Sequence, residues 1–344
     1  MMKAMLLNQV TSLDEDPEPL TLADISMPIP TADEVLIQVS ICGVCHTELD
    51  EIEGRTAPAF MPIVPGHEVI GRVVEAGNKV TTLEVGDRVG VGWIANSTGE
   101  ANENVSGSFV ATGRDTHGGY AEYMTIRENY AYRIPDCFSD SEAAPLLCAG
   151  SVGYRALRLA SIRNEEILGL TGFGASGHLV LQLAGYLYPD SPVYVFARSK
   201  EEREFALSLG AAWAGDIDDP PPQLLHAIID TTPAWHPILA ALKCLRPGGK
   251  CIINAIRKED TDKHELASID YAEHLWQEKT IQTVANITSQ DIKENLQVSA
   301  DAGIRPEVRL YPLQDANKVL QELRGGRIRG AYALQILDNE SVSG

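Results

Sequence analysis

From the N-terminus to about residue 135 apolar residues mostly alternate with polar ones, as in "EVLIQVSIC" (34–42) and "HEVIGRVVEAG" (67–77), with turn-like "EAGN" and "VGD" between runs. Successive side chains of a strand face opposite ways, so this period of two predicts short half-buried strands in a barrel-like β domain. Beyond about residue 150 the texture changes. Apolar runs of strand length ("EILGLTGFG", "PVYVFA", "AIIDTTP", "KCIINAI") take turns with amphipathic stretches ("ASGHLVLQLAGYLY", "SKEEREFALSLGA", "PILAALKCLRPGG"). That order predicts a parallel sheet covered by helices. The closing segment, strand-like "EVRLYPL" and "AYALQI" around helical "QDANKVLQELRGG", fits either domain by periodicity alone. The polar run "NSTGEANENVSGS" (96–108) reads as a surface loop.

Length supports two domains, since 344 residues exceed the ~250–300 at which a single core stops growing. Hydrophobic residues at 44% and charged residues at 22% suit a globular chain. A net charge of −20 argues against partners such as nucleic acid or anionic membrane and leaves small molecules. No apolar run reaches the ~18 residues of a membrane span, and the first residues lack a signal-peptide pattern, so a cytoplasmic protein is expected. Six cysteines spread over such a chain are expected to be free thiols or metal ligands rather than a disulfide framework.

"LTGFGASGHL" places Gly172, Gly174 and Gly177 between a predicted strand and a predicted helix. In that setting a GxGxxG pattern cradles a dinucleotide: Gly172 for the tight turn, Gly174 for approach to the pyrophosphate, Gly177 for helix-on-strand packing. The next strand ends at Ala197 without the acid that usually holds the ribose hydroxyls of NAD. Arg198, Ser199 and Lys200 follow, two cations and a hydroxyl suited to a 2′-phosphate, so NADP(H) is expected over NAD(H).

"GVCHTELD" (43–50) is ambiguous alone, because Cys42, Cys45 and His46 also match haem-attachment or redox-pair spacing. An exported setting for haem is lacking, and the segment follows an alternating strand rather than opening a βαβ helix. Two further segments offer metal ligands: "VPGHEVIG" with His67 and Glu68, and "APLLCAGSVGY" with Cys148. With "GDRVGVGW", "GGYAEY" and "GFGASG", these motifs from about residue 3 to about 335 resemble the zinc-dependent alcohol dehydrogenases of the medium-chain dehydrogenase/reductase (MDR) family.

The resemblance implies an α/β fold: a Rossmann doubly wound parallel sheet at 150–288 and a GroES-like β-barrel catalytic domain at 1–149 and 289–344. It implies that Cys45, His67 and Cys148 hold one catalytic zinc, with the fourth position open, a donor set suited to Zn²⁺. Glu68 matches a supporting carboxylate or transient ligand, and Glu48 the acid that orients His67. Thr47 matches the hydroxyl that bonds the alcohol and starts a proton relay. His46 matches the position that contacts the cofactor pyrophosphate, and Trp93 an aromatic lining the substrate pocket. Cys42, Cys137, Cys244 and Cys251 read as structural.

Two departures stand out. Where the family relay often ends in histidine the chain has Asp50, which is a proton acceptor, is bypassed by water, or is a surface acid. After "GVGW" the four cysteines that bind a structural zinc in many relatives are missing, so no structural zinc is expected. Primary alcohols and their aldehydes are the expected substrates, and a homodimer or homotetramer the expected assembly. The competing readings are an NADPH-dependent enoyl or quinone-type reductase of the same superfamily and a non-enzymatic dinucleotide-binding structural protein.

Overall fold

A computed structural model describes residues 1–326 and 330–337; the expected domain end at 344 lies outside them. Two compact units result. The first comprises Met1–Cys148, Asn286–Ala300 and Arg305–Gly344, and the second Ala149–Ala285 and Asp301–Ile304.

The backbone of the first unit is the strand Glu34–Val44. It pairs antiparallel with Val69–Ala76 along one edge. On its other edge Tyr123–Arg127 covers the first half and Ala331–Gln335 the second. Strand neighbours on both edges and cover on both faces explain a departure from the alternating expectation: Val35, Leu36 and Ile37 are all buried. Each such side chain contributes roughly 1.5–3 kcal/mol of transfer free energy. Val308–Pro312 adds to this sheet through Ala331–Gln335, so the C-terminal segment that periodicity left open belongs to the first unit.

The segment 96–108 is not simply a surface loop. Asn96 ends a short strand paired with Val110–Ala111, and the one-turn helix Glu103–Val105 buries Glu103 and Asn104. Glu103 accepts from the Gly99 and Ser289 amides (3.0 and 2.6 Å) and from the Tyr130 hydroxyl (3.1 Å). Polarity misled the reading because this charge is satisfied inside the fold.

The second unit carries six parallel strands in the order Trp213–Gly215, Val193–Phe196, Leu168–Thr171, Leu225–Asp230, Leu245–Ile253, Thr280–Thr283. In chain order this is 3-2-1-4-5-6, the doubly wound arrangement, which reverses direction between Leu168–Thr171 and Leu225–Asp230. The central strands are buried on both faces, as a parallel sheet between helices requires. At the reversal Asp230 is fully buried, accepting from Thr171 Oγ1 (2.6 Å) and paired with Lys258 (2.5 Å). The helix His236–Cys244 stops before Leu245, where the next strand begins.

Candidate active site

Local turns and one strand register together assemble the metal cluster of the first unit. Cys45 follows the central strand in extended backbone and caps the helix His46–Ile52. Glu48, three residues on, returns Oε2 to the Cys45 amide (2.8 Å), while its Oε1 lies 2.6 Å from His67 Nδ1. One carboxylate thus starts the helix and fixes the imidazole. The antiparallel register supplies the rest: Cys42 faces Val69, so the end of one strand meets the start of the other, where His67 and Glu68 sit. Gly66 reaches that start with φ +98°, a conformation that favours glycine, and its carbonyl accepts from Gly119.

Cys148 arrives from the turn Ala144–Leu147. The ligand atoms of Cys45, His67, Glu68 and Cys148 all lie within 4.8 Å of one another, the only such group among the described residues. The two sulfurs are 3.9 Å apart. Tetrahedral zinc with Zn–S of about 2.3 Å would set them roughly 3.8 Å apart. His67 is fully buried and its Nε2 has no hydrogen-bond partner. A buried imidazole nitrogen facing thiols is costly when no donor or metal ion meets its lone pair, so this donor set fits a metal such as zinc.

The charges agree. The Cys148 hydrogen bond, helped by His67, pulls the Cys45 thiol well below its ordinary range. Burial, joined by Cys45, pushes the Glu68 carboxyl well up. Glu68 also explains Gly43, since a Cβ there would run into its carboxylate.

Residues 31–136 match the alcohol dehydrogenase GroES-like domain family. The "Probable alcohol dehydrogenase AdhA" of Mycobacterium tuberculosis is 37% identical over 93% of this chain and 94% of its own length. The chain belongs to the zinc-type MDR alcohol dehydrogenases. An alcohol dehydrogenase of Geobacillus stearothermophilus is 30% identical over 93% of this chain and 97% of its own. Among solved structures, the cinnamyl alcohol dehydrogenase SbCAD4 of Sorghum bicolor superposes with TM-score 0.82 at 25% identity, covering 97% of both chains. The chain is therefore an alcohol dehydrogenase or reductase that works with a nicotinamide cofactor.

In this dehydrogenase Thr47 is buried beside the cluster, its hydroxyl 3.6 Å from Cys45 Sγ. His46, first in the helix, is exposed. Asp50 is not a surface acid: it is 1% exposed and bonded to Arg55 Nε at 2.5 Å. Trp93 is buried with its ring 6.3 Å from that of His67. Its Nε1 donates to Glu51 Oε1 (3.3 Å), and the Arg114 guanidinium lies over the indole at 5.3 Å. Sequence reasoning passed over Glu51 and Arg114. Glu51 had a signal, for it lies three residues after Glu48 and four after Thr47, on the same helix face.

In the second unit Gly172 has φ +81°, and a Cβ at Gly177 would press on the Gly172 carbonyl, so both glycines are required by the turn itself. A Cβ at Gly174 would meet nothing within 4 Å, which leaves space at the helix start. The cation set needs correcting. Ser199 is not a free hydroxyl: it caps the helix Lys200–Ser208, accepting from the Glu202 amide and donating to that side chain (both 3.1 Å). Lys200 pairs with Glu204 at 3.3 Å. Arg198 is exposed and makes no ion pair among the described residues. Arg203, which the sequence reading omitted, donates to the Ala197 carbonyl at 2.8 Å. Cys137 is also not packed but exposed, whereas Cys42 and Cys251 are buried.

Proposed function

We propose that this dehydrogenase holds one zinc per subunit on Cys45, His67 and Cys148 and interconverts primary alcohols and aldehydes, using NADP(H) in preference to NAD(H). The observation that carries the reading is the buried cluster whose His67 Nε2 has no protein partner. A zinc ion held there supplies Lewis-acid polarisation of the substrate oxygen. Glu48 keeps the His67 ring in the tautomer that presents Nε2 to the metal position. Glu68 stands by as a further carboxylate. Thr47 hydrogen-bonds the substrate hydroxyl and passes its proton on, and His46 meets the cofactor diphosphate. Because Arg55 already occupies Asp50, we route the proton from Thr47 to water.

The NADP(H) preference is supported by the missing acid at the end of Val193–Phe196 and by the exposed Arg198, which has no ion pair among the described residues. A single zinc is supported by the lack of any cysteine between Cys45 and Cys137. The edge strand Thr280–Thr283, exposed along its length, supports a homodimer or homotetramer in which subunits meet by strand pairing. No helix among the described residues is long and apolar enough to cross a membrane, and a thiol cluster suits the reducing cytoplasm.

The test pairs zinc analysis with alcohol oxidation and aldehyde reduction, each run with NADP(H) and NAD(H). One zinc, chelator-sensitive turnover and at least tenfold higher kcat/KM with NADP(H) are expected. Turnover with an activated alkene and no metal would favour the reductase reading. Cofactor binding with neither metal nor turnover would favour the non-enzymatic one.

A further inference from the structure

Glu51 is 1% exposed, yet only one of its oxygens is used: Oε1 takes the Trp93 indole N–H (3.3 Å), while Oε2 is buried without a hydrogen-bond partner. A buried carboxyl oxygen left unpaired is costly. Nothing in the packing explains the cost. Glu51 is not a metal ligand, Glu48 already orients His67, and Arg114 is bound in two-pronged fashion to Asp115 (2.9 and 2.7 Å). The location is informative. Glu51 lies one turn beyond Thr47, and its indole partner packs near the ring of His67.

Resting on the alcohol-oxidising reading above, we propose that Glu51 is a specificity-determining residue whose free oxygen pairs with a second hydroxyl on the substrate. The preferred substrates are then diols or hydroxyaldehydes rather than plain aliphatic alcohols. A hydroxyl suits the site because it both donates and accepts. Burial and the nearby Glu48 push the Glu51 carboxyl up to about 8. Such a group is protonated or ionised according to pH, and a hydroxyl pairs with either form. An ammonium group fits less well, since Arg114 lies over the same indole. Sites that hydrogen-bond a substrate hydroxyl discriminate strongly against analogues lacking it, because the protein group is then stranded.

The test compares kcat/KM for 1-propanol with 1,3-propanediol and for 1-butanol with 1,4-butanediol, using the zinc-loaded enzyme and its Glu51→Gln and Glu51→Leu variants. Melting of the holoenzyme with each alcohol is a second readout. The wild type is expected to favour at least one diol by tenfold or more and to be stabilised more by it. In Glu51→Leu that ratio falls at least tenfold, and Glu51→Gln, which still hydrogen-bonds, falls less. Equal efficiency of the wild type on diols and mono-alcohols, or an unchanged ratio in Glu51→Leu, overturns the inference alone. Absence of turnover with every alcohol overturns the dehydrogenase reading and the inference together.

Discussion

Glu103 and the Cys45–His67–Cys148 cluster both place polar groups in the interior of the first unit, and their surroundings differ. The Glu103 carboxylate meets two amides and a hydroxyl, and the Asn104 carbonyl beside it accepts from Asn286 (2.7 Å). The metal cluster leaves His67 Nε2 without a partner and crowds two thiols against a buried carboxyl. Burial of polar groups is costly unless they are paired. Glu103 is therefore scaffold, whereas the His67 nitrogen left among thiols marks the place where a metal fits.

The sharpest way to break this comparison is at the ligands. Cys45→Ala or Cys148→Ala is expected to lower bound zinc below a tenth per subunit and kcat/KM by at least ~10³-fold. Retained zinc in either variant would remove the distinction. The opposite region should respond in stability instead. Glu103→Ala strands the Gly99 and Ser289 amides and the Tyr130 hydroxyl, so a loss of about 3 kcal/mol is expected by denaturant titration, with zinc content unchanged.

Glu48 sharpens the contrast because it belongs to both categories, capping a helix and holding a ligand. Glu48→Gln should weaken zinc binding about 10–100-fold, measured by competition with a chromophoric chelator. The same criterion extends to the cofactor loop. Arg198→Ala, removing an exposed cation, should raise the KM for NADP(H) about tenfold and leave NAD(H) nearly unaffected. Ser199→Ala, removing a paired cap, should cost about 1 kcal/mol and leave cofactor preference unchanged.

What was legible in the sequence follows from range. The glycine pattern and the strand–helix alternation are local, and both reappear in the six parallel strands and the turn at Gly172. Cys45, His67 and Cys148 are far apart in sequence, and the resemblance, not periodicity, joined them. The role of Glu103 was hidden because its partners, Tyr130 and Ser289, lie 27 and 186 residues away. Ser199 was misread for the opposite reason. A serine three residues before Glu202 is a capping box, a local signal that outweighs its appeal as a phosphate ligand. Asp50 needed its ion pair with Arg55 to be seen before the surface reading could be dropped.

The most direct test of the central claim is a zinc count on purified protein, before and after dialysis against a chelator, with turnover and the denaturation midpoint followed on the same samples. One zinc per subunit is expected, removed together with activity, while the Glu103 lobe stays folded. Two tightly held zincs, or full turnover with none, would contradict it.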